Sequence, residues 1–203
     1  DTWDMNNGSY KSLDEIFEKI LRYENYICKN GGVTITGGEP LLQYEFVIEL
    51  FKKLKKENIH TCIDTSGMVA LTDKIKELID LTDLFLLDIK HIDSKKCEEL
   101  VGFPNEKELD FARYLSDNGK HMWIRQVLIP GYTDNEKDLI KLKEFISSLK
   151  TVDKVEILPY HTMGKYKWEK LGFKYELDGV REAIEDDVNK AKKILGIESR
   201  EEI

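Results

Sequence analysis

Short apolar segments alternate with amphipathic segments along the chain, and this alternation constrains the fold more than any other sequence feature. Five segments have the character of strands, and helical periodicity follows each of them. Leu84-Phe85-Leu86-Leu87 is apolar at every position, which is typical of a strand covered on both faces in a parallel sheet. Because the connections are short helices, the strands are expected to pair in parallel, and the sequence predicts an α/β fold.

The predicted elements follow in a regular order. A first helix begins at Ser12, which forms a capping-box signal with Glu15, and it ends at Asn30-Gly31-Gly32. A helical stretch from Ser94 to Ser116 is expected to break near Pro104. The strands are predicted at Val33–Thr36, Ile59–Ile63, Leu84–Leu87, His121–Leu128 and Val155–Leu158. The other helices are predicted at Phe46–Leu54, Ile75–Ile79 with Thr72 as its cap, Asp134–Leu149 and Arg181–Leu195.

No linker, low-complexity tract or repeat divides the sequence, so residues 1–203 are expected to form one domain. Five strands are too few to close an eight-stranded barrel. The pattern alone therefore leaves two architectures open, a partial barrel and an open sheet.

Charge and cysteine content exclude several classes of protein. The net charge of −8 disfavours a binder of the nucleic-acid backbone, and no apolar run approaches a membrane span. The sequence has three widely separated cysteines, Cys28, Cys62 and Cys97, and their spacing does not match that of metal ligands. An odd number of scattered cysteines indicates a reducing cytoplasm.

Polar, charged or glycine-rich residues follow every predicted strand, at the edge where α/β folds bind ligands. These segments are Thr36-Gly37-Gly38-Glu39-Pro40, Asp64-Thr65-Ser66-Gly67, Asp88-Ile89-Lys90-His91, Arg125 with Pro130-Gly131, and Pro159-Tyr160-His161. Each alone has a structural explanation: a tight turn, a helix cap, a salt bridge, an ion pair or a satisfied histidine. Their location at one edge favours a binding site.

The chemistry of these residues narrows the ligand. Adjacent glycines let a ligand approach the backbone closely, whereas Lys90 and Arg125 supply donors for a carboxylate. Asp64 and Asp88 add acceptors. A ligand with an ammonium group, a carboxylate and ribose hydroxyls matches this set. S-adenosylmethionine and several nucleotides fit it equally.

Gly37-Gly38-Glu39-Pro40 after a strand resembles the GGE motif of radical S-adenosylmethionine enzymes. Other segments resemble, in order, those of the family of radical enzymes that activate pyruvate formate-lyase. They are Asp1-Thr2-Trp3, His60-Thr61-Cys62-Ile63-Asp64-Thr65, Leu87-Asp88-Ile89-Lys90, Leu100-Val101-Gly102, Trp123-Ile124-Arg125, Leu158-Pro159-Tyr160-His161, Gly164-Lys165-Tyr166-Lys167-Trp168 and Leu177-Asp178-Gly179-Val180. The resemblance spans nearly the whole chain and fades after Val180.

The resemblance implies a set of cofactor contacts. The implied residues are Gly37, Gly38, Glu39, Asp88, Ile89, Lys90, Arg125 and His161. In the family's pattern Gly38 lies against the methionine moiety, Arg125 binds the carboxylate, and His161 lies beside the adenosine. Asp64 and Thr65, with Asp88, are implied to coordinate a monovalent cation. No residue of the chain is assigned as catalytic.

The resemblance also implies a fold and a reaction. The fold is a (β/α)₆ partial barrel of which the first strand is expected to be missing here. A [4Fe–4S] cluster cleaves S-adenosylmethionine reductively to methionine and a 5′-deoxyadenosyl radical, which takes a hydrogen from a glycine of pyruvate formate-lyase. An electron donor such as flavodoxin or ferredoxin and an anaerobic, cytoplasmic setting are implied, with no nucleic acid and no membrane as partner.

The sequence differs from the family's pattern in the segment that binds the iron–sulfur cluster. The family binds its cluster through a CxxxCxxC loop, which is expected immediately before Asp1 and is absent from these residues. Cys62 matches a family cysteine outside that loop. We therefore expect an N-terminally truncated chain that is inactive by itself.

Three alternatives remain open from sequence. The chain could belong to an activator of a different glycyl-radical enzyme. An unrelated partial-barrel enzyme could use Asp64, Asp88, Lys90 and His161 for acid–base or divalent-metal chemistry. A non-catalytic domain could retain partner binding alone.

Overall fold

A computed structural model of the chain describes residues 9–27 and 31–197. Predictions made on Asp1-Thr2-Trp3, on Cys28 and on Asn30 lie outside these residues. Within them, the strands are β1 (Gly32–Ile35), β2 (His60–Thr65), β3 (Leu84–Asp88), β4 (His121–Leu128) and β5 (Val152–Pro159). The helices are α1 (Leu13–Leu21), α2 (Glu24–Ile27), α3 (Tyr44–Lys56), α4 (Asp73–Asp80), α5 (Ser94–Val101), α6 (Glu106–Asp117), α7 (Glu136–Ser147), α8 (Lys165–Lys170) and α9 (Glu185–Leu195).

The five strands form one sheet in the order β1-β2-β3-β4-β5. β1 pairs with β2 in parallel, β3 pairs with β4 in parallel, and β4 pairs with β5 in parallel. The predicted α/β class with parallel strands is therefore confirmed. The described residues contain one strand fewer than the six of a complete (β/α)₆ partial barrel.

Two compact units can be distinguished in the chain. The first comprises Asp1–Asp64 with Leu71–Asp83, and the second comprises Thr65–Ala70 with Leu84–Ile203. In the first unit α3 and α4 bury their apolar faces, as their sequence periodicity predicts. The buried residues there are Val47, Ile48, Leu50, Phe51, Leu54, Ile75, Leu78 and Ile79.

The core of the second unit forms around β3 and α6. The rings of Phe85 and Phe111 meet edge to face, with centroids 5.8 Å apart. Both side chains are fully buried, together with Leu87, Leu115 and Ile124. This packing fixes α6 against the strand whose end carries Asp88.

Most predicted elements are present, and their bounds differ for local reasons. The capping box of Ser12 and Glu15 is formed, but the first helix stops at Leu21 and a short second helix, α2, follows. The break before Pro104 is present between α5 and α6. The last helix begins at Glu185, later than the predicted Arg181, and α8 has no counterpart among the predicted helices.

Among residues 9–27 and 31–197, no helix has the length and apolar character that crossing a membrane requires.

Candidate functional site

In the first unit, the residues that follow β1 meet the end of β2. The Oγ1 of Thr36 donates a hydrogen bond to Oδ2 of Asp64 at 3.2 Å. The parallel register, in which Ile35 lies opposite Ile63, places these two side chains one step further along. The sequence prediction that strand ends bring Thr36 and Asp64 to the same edge is confirmed for this pair.

Gly37 and Gly38 present an open stretch of backbone. Both are exposed, and among the described residues no atom beyond the adjacent residues lies within 4 Å of the position that a Cβ would take at either glycine. Gly37 has a φ of +127°, which strongly favours glycine. A ligand can therefore approach these peptide groups closely, and the surrounding protein gives no packing reason for a glycine at position 38.

Glu39 has a structural role as a helix cap, which the sequence did not suggest. Its carboxylate accepts the backbone N–H of Leu41 at 3.1 Å and thereby caps the 3₁₀ turn Pro40–Gln43. The turn begins with a proline, whose fixed φ suits a first helical position. Glu39 thus orders the chain directly after the two glycines.

In the second unit, Asp88, Lys90 and Arg125 form a charged cluster. Oδ1 of Asp88 accepts from Nε of Arg125 at 2.8 Å and lies 2.7 Å from Nη2 of the same guanidinium. Oδ2 accepts from Nζ of Lys90 at 2.7 Å. Residues 88 and 125 lie opposite each other in the β3–β4 register, which explains the pairing of a strand-end acid with a mid-strand arginine.

This cluster carries two positive groups and one negative group, and it is partly shielded from water. The exposed fractions of the side chains of Asp88, Lys90 and Arg125 are 18%, 29% and 15%. The partly buried ammonium and guanidinium groups are donors suited to an anionic group of a ligand, and a carboxylate suits the guanidinium best.

Ile89 and His161 differ in how a ligand could reach them. The side chain of Ile89 is fully buried, and its backbone N–H donates to the carbonyl of Arg125 at 2.9 Å. A cofactor contact at Ile89 would have to use its backbone. His161 is exposed at the end of β5, with extended backbone before the 3₁₀ turn Thr162–Gly164.

The residues predicted as a cation site have separate local contacts. Oγ1 of Thr65 accepts the N–H of Gly67 at 2.9 Å, and Thr65 is 3% exposed. Asp64 and Asp88 bond as described above. Coordination of a monovalent cation by Asp64, Thr65 and Asp88 stays a prediction.

Within each unit, the structure brings predicted residues into contact. Thr36 and Asp64 are in contact in the first unit, and Asp88, Lys90 and Arg125 are in contact in the second. That both groups line one cleft together with His161 and the glycines stays a prediction.

Sequence reasoning missed two buried polar residues beside this cluster, Glu108 and Asn105. Glu108 is fully buried on α6, and its Oε1 accepts the backbone N–H of Lys90 at 3.0 Å. Burial raises the pKa of Glu108 to about 8, and the nearby Asp88 carboxylate adds to this rise, whereas the Lys90 contacts oppose it. An acid within the apolar stripe of a helix was the sequence signal that could have identified Glu108.

His91, which follows Lys90, is also buried. Its Nδ1 accepts the N–H of Asp93 at 2.9 Å, and its Nε2 lies 3.8 Å from Oδ2 of Asp138. Burial lowers the pKa of His91, and the carboxylate of Asp138 opposes this effect. These contacts give His91 a structural role in the segment that follows β3.

The cysteines do not fit an iron–sulfur cluster. The sequence contains no CxxxCxxC spacing, and Cys62 and Cys97 are 5% and 0% exposed. Burial raises the pKa of Cys97 to about 11, which disfavours the thiolate that a cluster needs. Within the described ranges, no group of three or more His, Cys, Asp and Glu side chains could bind a metal ion.

Comparisons with known proteins cover most of the chain. Residues 2–142 match the model of the radical SAM superfamily. A curated pyruvate formate-lyase-activating enzyme of Staphylococcus aureus is 50% identical over 198 residues, which cover 94% of this chain and 78% of the relative. This identity excludes an unrelated partial-barrel enzyme.

Solved structures agree with this match. A domain of pyruvate-formate lyase-activating enzyme from Bacteroides vulgatus is 29% identical, with a TM-score of 0.68 over 82% of this chain and 94% of that chain. Streptococcus suis SuiB bound to S-adenosylmethionine has a TM-score of 0.68 over 94% of this chain and 42% of that chain. Its 20% identity supports the fold alone. The chain therefore belongs to the radical SAM superfamily and, within it, to the pyruvate formate-lyase-activating enzyme family.

Proposed function

We propose that this chain provides the S-adenosylmethionine-binding part of an enzyme that installs a glycyl radical in pyruvate formate-lyase. When bound, S-adenosylmethionine supplies a 5′-deoxyadenosyl radical by reductive cleavage, with methionine as the other product. The residues of this chain bind the cofactor, orient it and limit its exposure to water. Family membership and the identity to the Staphylococcus aureus activating enzyme support this proposal.

The observation that carries the assignment of the site is the charged cluster of Asp88, Lys90 and Arg125. Its cationic donors and low exposure suit the methionine carboxylate, which Arg125 would bind while Asp88 and Lys90 contact the methionine or ribose part. The open backbone at Gly37 and Gly38 suits the methionine ammonium group. The exposed His161 would lie beside the adenosine.

Further components of the proposal concern partners and setting. Pyruvate formate-lyase is the proposed partner, and flavodoxin or ferredoxin is the proposed electron donor. The cytoplasm is the proposed location, in agreement with free cysteines that are buried at positions 62 and 97. A monovalent cation at Asp64, Thr65 and Asp88 is proposed to lie close to the cofactor carboxylate.

The CxxxCxxC loop that binds the family's [4Fe–4S] cluster is not among the 203 residues. Tests of cofactor binding therefore use the loop-containing enzyme, by which we mean these residues joined to the family's CxxxCxxC segment.

Arg125→Ala tests the proposed site. Because the variant removes the guanidinium that would pair with the cofactor carboxylate, we expect S-adenosylmethionine to bind more weakly by about 2 kcal/mol, which is roughly 30-fold. Isothermal titration calorimetry of the loop-containing enzyme measures this difference. Arg113→Ala is the matched control, since Arg113 pairs with the exposed Asp110 on α6.

Equal affinity in wild type and Arg125→Ala would make Arg125 a structural partner of Asp88 and refute the assignment. A loop-containing enzyme with no affinity for S-adenosylmethionine would instead favour the alternative of a domain that retains partner binding alone.

A further inference from the structure

The β3–α5 loop, residues 89–93, connects the end of β3 to α5 and carries Lys90. The first residue of the loop still belongs to the sheet's hydrogen bonding, because the Ile89 N–H donates to the carbonyl of Arg125 at 2.9 Å. Beyond Ile89 the backbone needs other partners, since buried N–H and C=O groups are nearly always hydrogen-bonded.

Nε2 of Gln126 on β4 donates to the carbonyl of Lys90 at 3.3 Å, and two buried side chains at the start of α6 supply further partners. Nδ2 of Asn105 donates to the carbonyl oxygens of His91 and Ile92, at 2.8 Å in both cases. Oε1 of Glu108 accepts the N–H of Lys90 at 3.0 Å. Asn105 and Glu108 are 2% and 0% exposed, so both contacts are shielded from water. Three consecutive loop residues are thereby bound by one helical turn.

The side chain of Asn105 does not cap its helix, although its position favours a capping hydrogen bond. It is the N-cap residue of α6, where asparagine is preferred because its side-chain oxygen accepts a helix N–H. Here its side chain makes no cap hydrogen bond and is directed to the loop carbonyls instead. The contact with the loop thus takes the place of helix capping.

Glu108 is also an unfavourable choice for its position. It lies on the buried face of α6 with Phe111, Ala112 and Leu115, where an apolar side chain would avoid desolvation of a carboxyl group. Its Oε2 has no hydrogen-bond partner among the described residues. A buried acid with one unsatisfied oxygen costs stability, which indicates that its contact with Lys90 serves another purpose.

The Lys90 residue whose N–H Glu108 binds is itself part of the charged cluster. Nζ of Lys90 donates to Oδ2 of Asp88, whose other oxygen accepts from Arg125. A movement of the Lys90 backbone would change the position of Nζ and leave one oxygen of Asp88 without its partner. The geometry of the cluster therefore depends on where the loop is fixed.

We propose that Glu108 is a positioning residue, which binds the Lys90 N–H and thereby fixes Lys90 and Asp88 in the arrangement that receives S-adenosylmethionine. Asn105 fixes the same loop through its carbonyl groups. This inference rests on the proposed function, because Asp88 and Lys90 are the proposed cofactor contacts.

The test compares two substitutions of the same residue. Glu108→Leu removes the acceptor, whereas Glu108→Gln keeps an oxygen that can accept the Lys90 N–H. Glu106→Gln, an exposed acid in the same helical turn, is the control. The readouts are hydrogen exchange of the Lys90 amide in the cofactor-free chain and calorimetric S-adenosylmethionine affinity of the loop-containing enzyme.

We expect Glu108→Leu to accelerate Lys90 amide exchange about tenfold or more and to weaken S-adenosylmethionine binding about fivefold or more. Its melting temperature should not fall, because a leucine suits the apolar stripe. Glu108→Gln and Glu106→Gln should leave exchange and affinity within about twofold of the wild-type values. Asn105→Asp, which places a carboxylate against two carbonyls, should also weaken cofactor binding and provides a second variant if the leucine variant does not fold.

Unchanged affinity in Glu108→Leu despite faster Lys90 exchange would overturn the proposal. Equal affinity losses in both Glu108 variants, in step with lower melting temperatures, would also overturn it, because a purely structural residue gives that pattern. Arg125→Ala distinguishes the two proposals. If it leaves affinity unchanged, the assigned site fails and the positioning role with it. If it weakens binding while Glu108→Leu does not, only the positioning role fails.

Discussion

At the scale of single residues, Asp88 combines structural and functional interpretations that the sequence left as alternatives. A salt bridge to Lys90 and an ion pair involving Arg125 were the ordinary explanations, and both contacts are present on the same carboxylate. They are compatible with the proposed cofactor binding, since Lys90 and Arg125 are donors of the kind that bind a carboxylate. These contacts hold both cationic groups at one carboxylate.

Gly38→Ala is expected to weaken cofactor binding without lowering the stability of the fold. In the described part of the chain, no atom beyond the adjacent residues lies within 4 Å of a Cβ built at this position, and the φ of Gly38 is not positive. The free energy of unfolding should therefore change by less than about 0.5 kcal/mol. The added methyl would occupy the space through which the cofactor approaches the backbone, and affinity for S-adenosylmethionine should fall about tenfold. Urea unfolding and calorimetry measure the two effects.

Gly37→Ala provides the comparison. At a φ of +127° an alanine is strained, and we expect a loss of about 1–3 kcal/mol in the free energy of unfolding. If Gly38→Ala destabilises the protein as much as Gly37→Ala does, the open backbone at position 38 is a folding requirement and not a ligand contact.

Glu108 should make stability fall as the pH rises. Its pKa is raised to about 8 in the folded protein, against an ordinary value of 4.5 when the chain is unfolded. Below pH 4.5 both states are protonated and Glu108 imposes no penalty; between pH 4.5 and 8 the unfolded state ionises first and becomes favoured. From pH 5 to pH 8 this effect should lower the free energy of unfolding by about 3 kcal/mol.

Glu108→Gln isolates this contribution, because glutamine does not titrate. Urea unfolding of both proteins at pH 5 and pH 8 gives the change in the free energy of unfolding for each. Subtracting the change in the variant from that in the wild type leaves the contribution of Glu108, because the other titrating groups largely cancel. An identical pH dependence in both proteins would mean that the carboxyl group of Glu108 is ionised in the folded state at neutral pH.

At the scale of elements, one helix and one strand matched their predicted positions closely. α4 is capped by Thr72 as expected, and β4 spans the predicted residues His121–Leu128. The first helix was predicted too long, because its apolar face continues to Ile27 although the chain turns between α1 and α2. Periodicity therefore identified the buried face without showing where the helix axis changes direction.

β1 is the element for which we expect an additional neighbour. It is the first strand in the sheet order and pairs with β2 within the described residues, while its segment Val33-Thr34-Ile35-Thr36 has no charge, proline or bulge that would protect an edge. We expect this edge to be covered by residues 1–10 or by a second chain. Tyr10 is fully exposed, and residues 1–8 lie outside the described part.

Amide exchange and mass in solution test this expectation. Adjacent N–H groups of a strand point to opposite sides, so a covered edge slows exchange throughout residues 32–36, whereas an open edge leaves alternate amides fast. Sedimentation equilibrium would reveal a second chain as a concentration-dependent mass above 23.7 kDa, which Thr34→Lys should reduce. A monomer with alternating fast amides would show that the edge is stable without a cover.

At the scale of the whole molecule, the match to the activating enzymes extends over 94% of the chain, whereas the cysteine content does not fit the cluster chemistry. We expect the 203-residue chain to retain close to no iron and sulfide after anaerobic reconstitution and desalting. The reason is that the sequence has no CxxxCxxC spacing and that Cys62 and Cys97 are buried.

Iron and sulfide analysis with visible absorption measures this outcome, and the loop-containing enzyme is the positive control. Roughly four iron and four sulfide per chain in the 203-residue protein would contradict the prediction.

The sequence by itself determined the features that depend on neighbours along the chain. Alternating strand and helix periods gave the α/β class, and the polar or glycine-rich residues after each strand predicted a binding site at one edge of the sheet. The ordered motifs identified the family, which later comparison confirmed. These signals are local or carried by short motifs, so they can be read without coordinates.

Only the tertiary structure decided which distant residues meet. The β3–β4 register places Arg125 beside Asp88, and the packing of Phe111 against Phe85 brings the start of α6 to the β3–α5 loop. Glu108 therefore reaches the Lys90 amide across 18 positions of sequence. Register and side-chain packing arise from the fit of whole elements, and a local pattern does not specify the partner of a buried acid.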